Sequence, residues 1–212
     1  MFAAIRPSSA ASQHLDAALL AVGLGWPMRV VPAEQHHITL AFYGEVPDGA
    51  ADDLAAALAQ GLAAAAWRSG PEPLTLALAG AGCFSGRSLW MGVRDEPAGA
   101  LRILAEAAGE AATSCGLRLP DGDRPRFRAH LTVARMGARA AARAEQRGGR
   151  GRAWQGRRRG GSEPSPLDAL AQALAVYRGP SWEADAVELF SSKLGAGRSG
   201  GPLYETAARL PL

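Results

Sequence analysis

The chain has 212 residues, 48% of them apolar, enough to bury a substantial core as one large domain or two small lobes. No run approaches the ~20 uninterrupted apolar residues of a membrane span, and Met1 to Pro7 lacks the basic-then-apolar order of a signal peptide, so a cytoplasmic protein without membrane contact is expected. The net charge is only +3, but the cations are arginine except for Lys193, and planar guanidinium groups suit phosphate better than ammonium does.

Phe2 to Ile5 reads as a strand closed by Arg6-Pro7, and the serines that follow open a helix. From about Ser9 to Val22, Leu15, Ala18, Leu19 and Val22 recur at helical spacing until Gly23 and Gly25 stop the run. Val30-Val31 and Ile38 to Tyr43 read as extended, the second ending at Gly44. Pro47-Asp48 then opens an alanine-rich helix to about Ala65, with Asp48 as N-cap and Leu54, Leu58 and Leu62 on one face. After Gly70-Pro71, Leu74, Leu76 and Leu78 alternate with Thr75 and Ala77 in a half-buried strand ending at Ala79. Ser88 to Val93 is its expected partner, across a turn around Gly82 and Gly86.

A third helix spans about Pro97 to Cys115 and ends at Gly116, and Phe127 to Ala134 is again extended. Gly137 to Ser165 is low-complexity Arg, Gly and Ala: eight arginines against Glu145 and Glu163 give +6, leaving −3 for the rest of the chain. Such a segment builds no packed core and reads as a flexible insertion. A short helix near Leu167 to Ala175, a strand from about Ala186 to Phe190 and a last strand around Tyr204 to Leu210 complete the chain. Cys83 and Cys115 have neither Cys-x-x-Cys spacing nor a neighbouring His, and read as buried, reduced thiols.

The two extended segments with a chemical signature are His37-Ile38-Thr39-Leu40 and His130-Leu131-Thr132-Val133, one in each half. On a strand, residues two apart share a face, so each His looks out with its Thr while Ile38, Leu40, Leu131 and Val133 face the core and hold the strand. Two such strands side by side offer two imidazoles and two hydroxyls across one groove. Phosphodiester cleavage needs one group to take a proton from the attacking oxygen and another to give one to the leaving oxygen, and histidine does both near neutral pH. The threonine hydroxyls donate to phosphate oxygens as charge builds. His14, in the first helix, reads as a solvated surface residue, and His36 should point away from His37. No acidic residue or further His stands at ligand spacing beside the pair, so no metal is expected.

Gln35-His36-His37-Ile38-Thr39-Leu40-Ala41-Phe42-Tyr43-Gly44-Glu45-Val46-Pro47 resembles the first signature of the 2H phosphoesterases, in particular the RNA 2′,3′-cyclic phosphodiesterases also called 2′-5′ RNA ligases. Arg128-Ala129-His130-Leu131-Thr132-Val133-Ala134-Arg135 is similar to the second, and Arg87 to Val93, Glu188 to Leu194 and Gly201 to Tyr204 are similar at the matching places. The resemblance implies an α+β, bilobal single domain over residues 1–212: two antiparallel sheets related by a pseudo-twofold around a central cleft, helices outside. It implies hydrolysis of an RNA-terminal 2′,3′-cyclic phosphate to a 2′-phosphate, with 2′-5′ joining of tRNA half-molecules in some members; a monomer without cofactor is expected. His37 would then be the acid that protonates the departing 3′ oxygen, His130 the base that activates water, and Arg135 a phosphate partner. Many relatives carry arginine at the place of Ala41, so an RNA contact there is expected to be missing or replaced, and Phe42 or Tyr43 could stack a base, although an aromatic on a strand is more often core. The rival readings are a 2H enzyme for a small cyclic nucleotide or an ADP-ribose cyclic phosphate, and an RNA-binding module that keeps the fold without the reaction.

Overall fold

The computed structural model describes residues 1–24, 28–47, 49–69, 72–120, 127–137, 165–197 and 201–212, with backbone alone for 66–69. The expectations placed on Gly25, Asp48, Gly70, Pro71 and the Arg/Gly segment over 138–164 lie outside the described residues. Among the described residues the strands are β1 (Phe2–Ile5), β2 (Met28–Val30), β3 (Ile38–Phe42), β4 (Thr75–Phe84), β5 (Ser88–Glu96), β6 (His130–Met136), β7 (Arg178–Glu183), β8 (Ala186–Lys193) and β9 (Leu203–Pro211). The helices are α1 (Ser9–Ala21), α2 (Ala50–Ser69), α3 (Ala100–Ser114) and α4 (Pro166–Ala173), and a 3-10 turn covers Ala33–Gln35.

All strands join one antiparallel sheet in the order β7-β4-β5-β6-β3-β1-β8-β9, with β2 paired to β6. The two halves that the sequence treats as separate sheets are thus continuous, linked where β3 meets β6. Helices cover the face carrying the large core, to which Ile5, Leu15, Leu19, Leu54, Leu58, Leu62, Leu101 and Leu104 all contribute. The expected stripe of Leu54, Leu58 and Leu62 on α2 is buried, and α2 packs on α3 closely because Gly61 faces the backbone of Ala107; an added Cβ would sit 3.4 Å from that carbonyl. β1 is buried on both faces: Ala3 and Ile5 enter the main core, while Phe2 and Ala4 form a second, small cluster with Phe190, against which Tyr204 packs. That second cluster lies under the site.

Local chemistry sets the element ends. Ser8 caps α1 by accepting from the amide of Ala11 (3.1 Å), as the serines after Pro7 imply. Asp95, at the end of β5, accepts from the amide of Leu101 (2.9 Å) and caps α3 from outside. α4 starts with a capping box, Ser165 and Asp168 each binding the other's amide. β4 runs on to Phe84, beyond the expected end at Ala79, because a bulge between Leu78 and Ala81, with Gly80 at φ +66°, resets its register against β5. β7, unmarked in the sequence, pairs with β4 at the sheet edge. Cys83 and Cys115 are free thiols, but only partly buried rather than sealed in the core.

Candidate active site

β3 and β6 share one rung, Ile38 opposite Leu131, and both of these residues are fully buried. In an antiparallel pairing, residues one step either side are opposed crosswise. His37 therefore comes beside Thr132 and Thr39 beside His130, on the face away from the core, and all four are partly exposed. Leu40 and Val133 are buried with Ile38 and Leu131, so the expected division of each motif between core and cleft holds.

The two histidines are held in the same way. His37 Nδ1 lies 2.7 Å from the carbonyl of Gln35, and His130 Nδ1 lies 2.9 Å from the carbonyl of Arg128. A carbonyl only accepts, so each Nδ1 carries a proton and each Nε2 is left for chemistry. His37 also packs against Phe2 (centroids 4.9 Å apart) and Tyr204 (5.4 Å, edge-on), which touch each other. Burial among these rings pushes its pKa down to about 4; the Gln35 carbonyl opposes that shift, and the positive charges of Arg135 and Arg6 add to it. His130 sits against Phe84 (5.1 Å, edge-on) and Trp90 (6.1 Å), and the guanidinium of Arg128 lies 4.1 Å above the Trp90 ring. Trp90 lies flat because Gly82 leaves room: a Cβ there would be 2.1 Å from the indole. His36 is buried with Nε2 3.1 Å from the Val31 carbonyl, pointing away from His37 as expected. His14 is exposed, 2.9 Å from the Tyr177 hydroxyl.

Each motif strand bulges just after its threonine. β3 shifts register against β1 between Ala3 and Ala4, and β6 shifts against β5 between the partners of Leu89 and Trp90. Leu40 and Ala41 are consequently buried in succession, as are Val133 and Ala134, and the next residue on each strand emerges on the histidine face. On β6 that residue is Arg135. On β3 it is Phe42, 43% exposed. This corrects the expectation for Ala41: the position belongs to the core and makes no cleft contact to lose. Tyr43 is likewise core, its hydroxyl donating to the Ala108 carbonyl (3.2 Å), and so cannot stack a base.

A cavity of about 280 Å³ opens beside His37, Thr132 and Arg135. It is lined further by Arg29, Val30, Val31 and Pro32 and by Gln35, Pro202 and Tyr204. Three of the five residues expected at the site thus line it, while Thr39 and His130 stand across the β3–β6 rung, outside its lining. Gln35 and Tyr204 lie within the family-like stretches but are not among the residues expected at the site. Gln35 orients His37 through its carbonyl and donates from its side chain to the Pro202 carbonyl (2.8 Å), tying the turn before β3 to the segment before Tyr204. Among the described residues, no group of three His, Cys, Asp or Glu side chains is placed to hold a metal, and no helix is long and apolar enough to cross a membrane.

Two histidine-threonine strands meeting on one antiparallel sheet, with helices on its other face, form the 2H phosphoesterase arrangement expected from the motifs. The sequence pattern of the 2′-5′ RNA ligase superfamily matches residues 8–153, and the chain belongs to that family. It is similar to an RNA 2′,3′-cyclic phosphodiesterase of Geobacillus stearothermophilus, 34% identical over 186 residues; the match covers 86% of this chain and 47% of that protein. The chain thus spans about half the length of the curated relative it matches. Among solved structures, E. coli LigT complexed with 3′-AMP is similar at a TM-score of 0.66 and 21% identity, and TT0787 of Thermus thermophilus at 0.62 and 23%. Both alignments cover 100% of this chain and 96% of the other, so the likeness in fold runs from end to end.

Proposed function

We propose that the cleft hydrolyses an RNA-terminal 2′,3′-cyclic phosphate to a 2′-phosphate by paired-histidine acid-base catalysis, in a single two-lobed, monomeric unit acting on RNA ends in the cytoplasm. The observation that carries this reading is the shared rung between Ile38 and Leu131, which sets two imidazoles, each anchored through Nδ1, on one face with two threonine hydroxyls. The activity named for the Geobacillus stearothermophilus relative supports the substrate class.

His130 takes a proton from water through Nε2, the water oxygen bonds to phosphorus, the bond from phosphorus to O3′ breaks, and His37 gives its proton to O3′. Thr39, Thr132 and Arg135 hold the non-bridging oxygens as their charge grows. Burial leaves His37 neutral in the empty cleft, its pKa down at about 4. The negative charge of the bound phosphate raises that value and restores the proton, which His37 then gives to the leaving oxygen. A 5′-hydroxyl in the place of water runs the same steps to a 2′-5′ link, on tRNA fragments among other ends.

The test is a short RNA ending in 2′,3′-cyclic phosphate, incubated with chelator present. Conversion to the 2′-phosphate is expected, and His37→Ala and His130→Ala should each abolish it with an unchanged circular dichroism spectrum. A cyclic end that persists at high protein concentration rejects the reading, as does wild-type turnover in either variant. Loss of activity on adding chelator points to a metal instead.

A further inference from the structure

We propose, resting on the reading above, that Arg6 is a positioning residue for the reaction: it locks the turn before β3, so that the Gln35 carbonyl keeps the His37 ring in the tautomer with Nε2 free. Ile5 is paired with Ile38, and Arg6 follows it alongside His37. The guanidinium makes three contacts with the protein. Nη1 donates to the Glu34 carbonyl (2.9 Å), Nε donates to Oε2 of Glu188 (3.3 Å), and Cζ sits over the Phe190 ring, 4.7 Å from its centroid. The same carboxylate oxygen accepts from the Thr206 hydroxyl (2.8 Å), so β9 steadies the partner of Arg6.

The bond to Glu34 matters because of where that carbonyl stands. The turn Ala33–Gln35 has no side-chain cap at its start. The peptide from Glu34 to Gln35 is held at its amide by the Pro32 carbonyl (2.8 Å) and at its oxygen by Arg6. In the next peptide, from Gln35 to His36, the amide donates to the Ala33 carbonyl (3.0 Å) and the oxygen is the one that meets His37 Nδ1 at 2.7 Å. Two consecutive planes are thus pinned at both ends, and freeing the first lets the second tilt about Gln35. A carbonyl that tilts away leaves Nδ1 without its acceptor, and the proton is then shared with Nε2. Arg6 also bears on the ring from behind, since Phe190 stacks on Phe2 (5.0 Å) and Phe2 lies against His37 (4.9 Å). Arginine suits this post because its planar fork serves two acceptors while its face covers an aromatic ring. It stands outside the lining of the cavity, so its effect on substrate passes through His37.

Arg6 is also a cation close enough to add to the lowering of the His37 pKa, and Glu188 separates charge from position. Through charge alone, removing Arg6 and removing Glu188 push the imidazole in opposite directions. Through position, both loosen the same turn. The experiment reads the imidazole nitrogen shifts of the 15N-labelled whole chain near neutral pH, together with kcat and KM on a cyclic-ended RNA. Wild type is expected to show one His37 tautomer, with the proton on Nδ1. Arg6→Met should place the proton on Nε2 in about a third of the molecules and lower kcat about tenfold, with KM within about twofold and the His130 shifts unmoved. Glu188→Ala should move both readings in the same direction by less, and the double variant should match Arg6→Met because the two residues act as one unit. An unmoved His37 tautomer in Arg6→Met overturns the proposal, as do opposite effects of the two single variants or a His130 ring disturbed to the same degree. The nitrogen shifts need no substrate, which keeps the two readings separable. A tautomer that responds to Arg6→Met in a protein that leaves cyclic ends intact keeps the positioning role and loses the reaction; turnover with an unresponsive tautomer does the reverse.

Discussion

The depressed pKa of His37 makes folding stability depend on acidity in a way that one substitution removes. The ring is ordinary in the unfolded chain, with a pKa near 6.5, and is held at about 4 in the folded protein by burial among Phe2 and Tyr204, with Arg135 and Arg6 adding to the shift. Above pH 6.5 the ring is neutral in both states and costs nothing. As pH falls, the unfolded chain takes up the proton first, so stability is lost between about pH 6.5 and pH 4 and levels off below. At 1.36 kcal/mol per unit, a displacement of roughly 2.5 units amounts to about 3 kcal/mol. His37→Gln carries no such proton. The free energy of urea unfolding, measured for both proteins from pH 7.5 to pH 4, should show the wild type losing about 3 kcal/mol more than the variant. The buried His36, whose pKa burial also lowers, is common to both and cancels in the difference. Parallel curves across that window would refute the assignment of a buried, cation-flanked imidazole, as would a His37 resonance titrating near 6.5.

Gln35→Ala keeps the carbonyl that orients His37 but cuts the tether to Pro202; kcat should fall about tenfold with less change in KM, and the acidic limb of the pH-rate profile should move upward as water reaches the ring. An unchanged profile would show that the tether does not position the imidazole. Gly82→Ala drives a methyl into the Trp90 ring and should cost roughly 1–3 kcal/mol in thermal unfolding, with a changed tryptophan emission and a lower kcat because Trp90 backs His130. Tyr43→Phe removes a buried hydroxyl bonded to Ala108 and should cost about 1 kcal/mol without touching kcat, since this ring is core rather than cleft.

The period-two spacing of His37 with Thr39 and of His130 with Thr132 was readable because alternation holds strictly from each histidine to its threonine. It fails one step later. Counting by twos from His130 assigns Arg135 to the core, and only the bulge beyond Thr132, a hydrogen-bonding feature without a residue signature, returns it to the cleft. The same slip hides the exposure of Phe42 and the burial of Ala41. The two carbonyls that fix the imidazoles belong to Gln35 and Arg128, and a main-chain oxygen has no letter of its own. The placing of Tyr204 beside His37 is hidden for a different reason, although the residue falls in a family-like stretch: it reaches His37 only through the pairing of β9 with β8 and of β8 with β1, contacts that span most of the chain. β7 was missed because Gly179 and Pro180 argue against a strand, yet an edge position tolerates them. The leucine stripe of α2 was legible because helix periodicity and burial agree along its whole length.

The lone rung between β3 and β6 gives the catalytic gap an unusual master. With so little hydrogen bonding across that seam, the spacing of the two rings answers to the bulk of Ile38 and Leu131 beneath it, which wedge the halves like the jaws of a caliper. Reach across the phosphorus can therefore be retuned by a methyl group more or less in the core, leaving every polar side chain of the cleft as it is.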